Sequence, residues 1–158
     1  MGNGIPVSAA IFRSEVTEEF GRNVRYFNTF GGSSVPIAAA NAVLDVIESE
    51  GLQDRARTVG AALRAGIEDI VRPFGSVTDV RGIGYFLGVE ISDADGGPDP
   101  PVKASDLVNE LRQRRVLISA SGPPDGNVLK IRPPLAFSSA DADRFLTELA
   151  AASGVLNS

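Results

Sequence analysis

The sequence contains no histidine and no cysteine. Without cysteine there is no disulfide, no thiolate nucleophile and no zinc–sulfur site. Without histidine there is no Ser-His-Asp triad and no imidazole base or metal ligand. Lysine is nearly absent as well. Of 15 basic residues only Lys103 and Lys130 are lysines, and neither sits in a context suited to a Schiff base. No apolar run approaches the roughly 20 residues that cross a bilayer, and the N-terminus lacks the basic-then-apolar pattern of a signal peptide. A net charge of −5 argues against nucleic acid or an anionic membrane as partner, since either needs clustered Lys and Arg. Carboxylates, hydroxyls, backbone groups or a cofactor are left to carry any chemistry, and a cytoplasmic location is the default.

What is present is ordinary globular material. The 158 residues are 43% hydrophobic and 22% charged, about one domain's worth of chain and enough to bury a core. Val7 to Phe12 is short, apolar and flanked by Pro6 and Arg13, which predicts a buried strand. Ser14 to Phe20 predicts a short helical turn, acidic near its start. Asn28 to Ser34 is a Gly/Ser/Thr-rich loop. A long helix then opens at Val35-Pro36-Ile37, with the proline in its first turn. Its apolar face is Ile37, Ala40, Val43, Leu44 and Ile47, and Gly51 caps its end.

A second helix is predicted from Leu52 to Val71, carried by Ala56, Val59, Leu63, Ile67 and Ile70 and stopped by Pro73. Val77 to Val80 and Tyr85 to Ile91 read as strands, and Ser92 to Pro101 as a polar loop. Ala104 to Arg114 forms a third helix. Val116 to Ser119 and Val128 to Ile131 are further strands around the turn Gly122 to Gly126. A last helix runs to Ala151 with Phe145, Leu146 and Leu149 inward. The order from Gly51 onward describes an α/β (α+β) layer, helices on one face of a mainly antiparallel sheet. The first 34 residues do not close a core by themselves.

Two tempting motifs are set aside. Arg81-Gly82-Ile83-Gly84 leads into a strand instead of opening a helix, so it lacks the helix N-terminus that a dinucleotide pyrophosphate needs. Asp93-Ala94-Asp95-Gly96 has neither the third aspartate nor the terminal glutamate of a calcium loop. No metal site is expected.

Four stretches carry a resemblance. They are Met1-Gly2-Asn3-Gly4-Ile5-Pro6-Val7; Tyr26-Phe27-Asn28-Thr29-Phe30-Gly31-Gly32; Ala42 to Ile47; and Gly126-Asn127-Val128-Leu129-Lys130-Ile131-Arg132-Pro133-Pro134-Leu135. In order and in register they resemble the class III aminotransferases, pyridoxal-phosphate (PLP) enzymes of fold type I. Arg81 to Glu90 is similar to the run that starts that family's C-terminal sheet. The branch of closest resemblance holds ethanolamine-phosphate phospho-lyase and alanine–glyoxylate-like aminotransferases.

The resemblance implies that residues 1–34 end the large PLP-binding domain with its last strand, that 35–50 form an interdomain helix, and that 51–158 are the C-terminal small domain. The Schiff-base lysine would lie just ahead of Met1, so no catalytic residue is expected within the chain, and the chain alone is expected to be inactive. Thr29, with Phe30, would contact the cofactor phosphate of a neighbouring subunit. A hydroxyl with adjoining backbone N–H groups suits that anion. Lys130 stands where many members carry an arginine that grips the substrate carboxylate, and Arg132 projects from the same strand face. Lysine is a point charge and not a planar fork, so an α-carboxylate substrate is in question. The implied reaction is amino-group transfer between an amino donor and a keto acid or aldehyde, in a homodimer built through residues 1–50. Phospho-elimination within the same family and a non-catalytic binding or assembly domain are the alternatives.

Overall fold

The structure is a computed structural model, and it describes residues 1–92, 103–122 and 126–157. The candidate loop at Asp93 to Gly96, most of the predicted loop from Ser92 to Pro101, and the middle of the turn at Gly122 to Gly126 lie outside the described residues. The chain divides into two compact units, Met1–Gly51 and Leu52–Ser158.

The second unit is a helix–sheet layer. Helix α3 (Leu52–Val71) buries Leu52, Gly60, Leu63, Ile67 and Val71, the 3–4 spacing of one helical stripe. Strands β1 (Val77–Ile83) and β2 (Phe86–Ile91) form an antiparallel hairpin, so the Arg81–Ile83 segment belongs to a strand rather than to a link between strands. Helix α4 (Ala104–Gln113) follows, then the short β3 (Ser119–Ser121) and β4 (Val128–Ile131). Helix α5 (Ser139–Ala152) runs into a 3-10 turn at Ser153–Asn157. The sheet order is β1-β2-β4-β3, and every neighbouring pair is antiparallel.

Alternation decides what faces the helices. Leu87, Val89 and Ile91 of β2 and Leu129 and Ile131 of β4 point inward. They meet Leu63 and Ile67 of α3, Leu107 and Leu111 of α4 and Phe145 and Leu149 of α5 in one buried cluster. Two close approaches lock the layer. A Cβ added at Gly60 would lie 2.3 Å from the Gly84 carbonyl oxygen, so α3 touches the β1–β2 turn backbone directly. At that turn the buried Tyr85 donates its hydroxyl to the Phe137 carbonyl at 2.6 Å, and the two rings meet edge to face at 5.6 Å. Arg64 of α3 donates to the carbonyls of Val80 and Gly82, which satisfies acceptors on the edge strand β1. Ser138 and Asp141 form a reciprocal capping box that starts α5, and their hydrogen bonds hold the Asp141 carboxyl below its ordinary value.

The predicted strand Val116–Ser119 is displaced. Val116–Ile118 is irregular, and pairing begins only where Ser119 opposes Lys130. The reason lies at the end of α4. Arg115 adopts a left-handed conformation (φ 63), and the Val116 N–H reaches back to the Leu111 carbonyl at 2.9 Å, so the helix termination claims these residues.

The first unit contains helix α1 (Ser14–Asn23) and helix α2 (Ser34–Ser49). The expected turn at 14–20 is a full ten-residue helix, with Glu15 in its first turn and Arg22 in its last. Val7–Phe12, expected to be the last strand of a large domain, makes no ladder at all, and Ile11 is 95% exposed. A strand needs a partner for its backbone groups, and among the described residues none pairs with this segment. The predicted stripe of α2 is only half covered. Ala40 is buried and Val43 and Ile47 are half-buried, while Ile37 and Leu44 lie open.

Candidate functional site

Strand β4 is short and strongly alternating: Leu129 and Ile131 enter the core, and Val128 and Lys130 take the opposite face, which among the described residues of this unit carries no helix. Lys130 sits at the crossing of three strands. It lies opposite Gly88 of β2 and Ser119 of β3, and Gly88 in turn lies opposite Arg81 of β1. Cross-strand partners share a face, so Arg81, Gly88, Lys130 and Ser119 form one row on the open side of the sheet.

Lys130 and Arg132 border two hollows. One, of about 470 Å³, is also lined by Val116–Ser119, Pro133, Pro134, Phe137 and Phe145. The other, of about 210 Å³, lies over Gly88 with Arg81, Phe86 and Val128 around it. The structure therefore brings the two predicted substrate-binding cations together on one ridge. Their surroundings differ. Arg132 stacks its guanidinium 4.1 Å above the Phe86 ring, a geometry that orients the group without neutralising it. Among the described residues, Lys130 has no carboxylate partner. Arg81 is already engaged by Asp79 at 2.6 Å and by Glu90, and these hydrogen bonds hold its guanidinium more firmly protonated than usual.

Thr29 and Phe30 belong to the first unit. Their loop folds around Asn28, whose side-chain oxygen accepts from the N–H groups of Phe30 at 3.1 Å and Gly31 at 2.9 Å. Asn28 also donates to the Tyr26 hydroxyl at 2.9 Å, and Gly32 takes a left-handed turn (φ 79) that leads into α2. Thr29 is exposed at the tip and Phe30 is 85% exposed. The backbone N–H groups of Phe30 and Gly31 are thus occupied internally, while the Thr29 side chain lies exposed.

Nothing in the sequence pointed to Phe86 as a support for Arg132. That contact depends on which strands are neighbours.

The family model for class-III aminotransferases matches residues 1–152, and the chain belongs to that family. It is 43% identical over 149 residues to an alanine–glyoxylate aminotransferase 2-like protein of Drosophila melanogaster, covering 92% of this chain and 30% of that one. It is 35% identical over 140 residues to ethanolamine-phosphate phospho-lyase homolog 1 of Caenorhabditis elegans, covering 87% and 30%. Among solved structures, a phospholyase from Arthrobacter in complex with phosphoethanolamine superposes with a TM-score of 0.87 at 41% identity, covering 98% of this chain and 36% of that one. The chain thus spans about a third of the length of the relatives it matches. The family implies PLP in the full-length enzyme.

Proposed function

We propose that this chain supplies the C-terminal part of a PLP-dependent aminotransferase, in which Lys130 and Arg132 bind the anionic end of the substrate. The observation that carries this reading is their arrangement. They are two cations on one ridge, bordering two hollows, without a carboxylate partner among the described residues. The partner substrates are an amino donor and a keto acid or aldehyde acceptor. PLP, when bound, supplies the electron sink for chemistry at the substrate carbon that bears the amino group. This chain's share is positioning. The Lys130 ammonium and the stacked Arg132 guanidinium attract and orient the anion, and the Thr29 hydroxyl donates to the cofactor phosphate of a second subunit. The donor set at residue 29 fits a phosphate, since it is an exposed hydroxyl on a loop braced by Asn28. Exposed Ile11, Phe12, Phe27 and Phe30 support a homodimer built through residues 1–50. A cytoplasmic location belongs to the same proposal and rests on composition. Among the described residues no helix is long and apolar enough to cross a membrane.

One observation favours phospho-elimination as a second reading. A lysine at position 130 offers a point charge suited to a phosphate as much as to a carboxylate.

The test is a chimera joining this chain to the N-terminal two thirds of the Arthrobacter relative. Lys130→Met and Arg132→Met should each raise KM for an anionic amine by roughly tenfold, the worth of a charge-assisted hydrogen bond. Thr29→Ala should speed PLP loss on dialysis. Unchanged KM in both charge variants would remove Lys130 and Arg132 from the site.

A further inference from the structure

Asn3-Gly4 is the one asparagine–glycine pair in the sequence. The two residues are the centre of a turn closed by the Ile5 N–H on the Gly2 carbonyl at 3.1 Å. Both have positive φ, 45 at Asn3 and 105 at Gly4, the pattern of a type I′ turn. Gly2 is buried, and an added Cβ there would lie 2.2 Å from the Ile5 carbonyl oxygen, while Asn3 and Gly4 are exposed. The turn is closed by the Ile5 N–H, and among the described residues neither the Gly4 nitrogen nor the Asn3 carboxamide has a hydrogen bond. Nothing lies within 4 Å of the place a Gly4 side chain would fill. An unhindered amide nitrogen thus follows an unengaged carboxamide. Other asparagines lack one or both features. The Asn28 carboxamide is held by Tyr26, Phe30 and Gly31. Asn41 and Asn109 lie inside helices, where the next amide is committed to the backbone ladder. Asn127 precedes the branched Val128, which crowds the nitrogen.

We propose that Asn3 is a site of spontaneous deamidation, at which the chain converts its own turn into a carboxylate. The Gly4 nitrogen attacks Asn3 Cγ and a new N–Cγ bond forms. The Cγ–Nδ2 bond breaks, and ammonia leaves with the proton that Gly4 gives up. Water then adds to either carbonyl of the cyclic imide and opens it, to aspartate or to β-linked isoaspartate. The sum is amide plus water to acid plus ammonia, with no oxidant or cofactor. Glycine favours the step twice: no side chain hinders its nitrogen, and its backbone freely leaves the turn conformation as the ring closes. Either product adds one negative charge to a net charge of −5, because such a carboxyl is ionised at neutral pH. Isoaspartate also adds a methylene to the main chain inside the turn, which parts the Ile5 N–H from the Gly2 carbonyl. This site is independent of the roles assigned to Lys130 and Arg132.

The experiment is peptide mapping by mass spectrometry of the intact chain aged in neutral and mildly alkaline buffer, with chromatography to separate the aspartyl from the isoaspartyl form. Acid should accumulate at Asn3 ahead of Asn28 and Asn127. The rate at Asn3 should rise by about tenfold per pH unit, as the ionised fraction of a weak acid does below its pKa. Hydrogen exchange on the aged chain should show the Ile5 amide losing protection in the isoaspartyl form. Gly4→Ala, which places a side chain beside the nitrogen, should slow conversion at Asn3 and leave the other asparagines unchanged. Alanine is strained at the positive φ of residue 4, so the same change is made in a free peptide of residues 1–7, where no turn is held and only the steric effect acts. An Asn3 that survives in the intact chain while the peptide deamidates would overturn the proposal, because the turn would then protect the residue. Equal rates at Asn3 and Asn28 would overturn it too, since the free nitrogen and carboxamide would then make no difference.

Discussion

Removing the Tyr85 hydroxyl gives the sharpest test of how the layer is held. Tyr85→Phe keeps the ring, its burial and its edge-to-face contact with Phe137, and deletes only the 2.6 Å hydrogen bond to the Phe137 carbonyl. The net worth of such a bond is about 1 kcal/mol, and leaving a partly buried carbonyl unsatisfied adds on the order of another 1 kcal/mol. A loss of about 1–2 kcal/mol follows, which at a urea slope near 2 kcal/mol/M moves the midpoint down by about 0.5–1 M. The pH dependence is a second signature. Burial pushes the Tyr85 hydroxyl pKa up from its ordinary value of 10.0. The fold therefore favours the neutral phenol, and this contribution is fully present below that ordinary value and lost as pH rises through the raised one. Tyr85→Phe should lack that alkaline loss. An unmoved midpoint at neutral pH, or the same alkaline slope in both proteins, would refute the placement of Tyr85.

Three further outcomes are expected. Gly60→Ala would place a methyl 2.3 Å from the Gly84 oxygen, which is backbone and cannot swing away, and should cost about 1–3 kcal/mol in a denaturant melt. Arg115→Gly should stabilise by about 1 kcal/mol, because its φ of 63 strains any side chain, and a raised thermal midpoint would register it. The intact chain should sediment as a dimer or larger, and a version beginning at Leu52 as a monomer. A monomeric intact chain would contradict self-association through residues 1–50.

Local periodicity made much of the fold legible. The stripe from Leu63 to Ile67 with its stop at Pro73 places α3, and the alternation of Leu87, Val89 and Ile91 sets the buried face of β2. Errors arose where structure depends on a distant partner. Val7–Phe12 is apolar enough for a strand, but among the described residues nothing pairs with it. Val116–Ile118 is apolar too, yet the close of α4 and the register with β4 start the strand at Ser119. The candidate site divides in the same way. That Lys130 leaves the core face follows from the two-residue period of a strand, whereas Arg132 stands just past the end of β4 and is placed by its stack on Phe86. The Phe86 stack, the place of Gly88 beside Lys130 and the pairing of Arg81 with Glu90 are cross-strand relations that only the sheet order β1-β2-β4-β3 reveals.

The central claim is that position 130 reads the substrate's anionic end, and Lys130→Arg in the chimeric enzyme tests it most directly. A guanidinium fork adds a second charge-assisted hydrogen bond to a carboxylate, so kcat/KM for an α-carboxylate donor such as alanine should rise by about 1–3 kcal/mol in transition-state terms, roughly 5- to 150-fold. A phosphate also accepts a guanidinium fork, so kcat/KM for phosphoethanolamine should change as well. No change for either substrate would show that residue 130 does not face the substrate's anionic end.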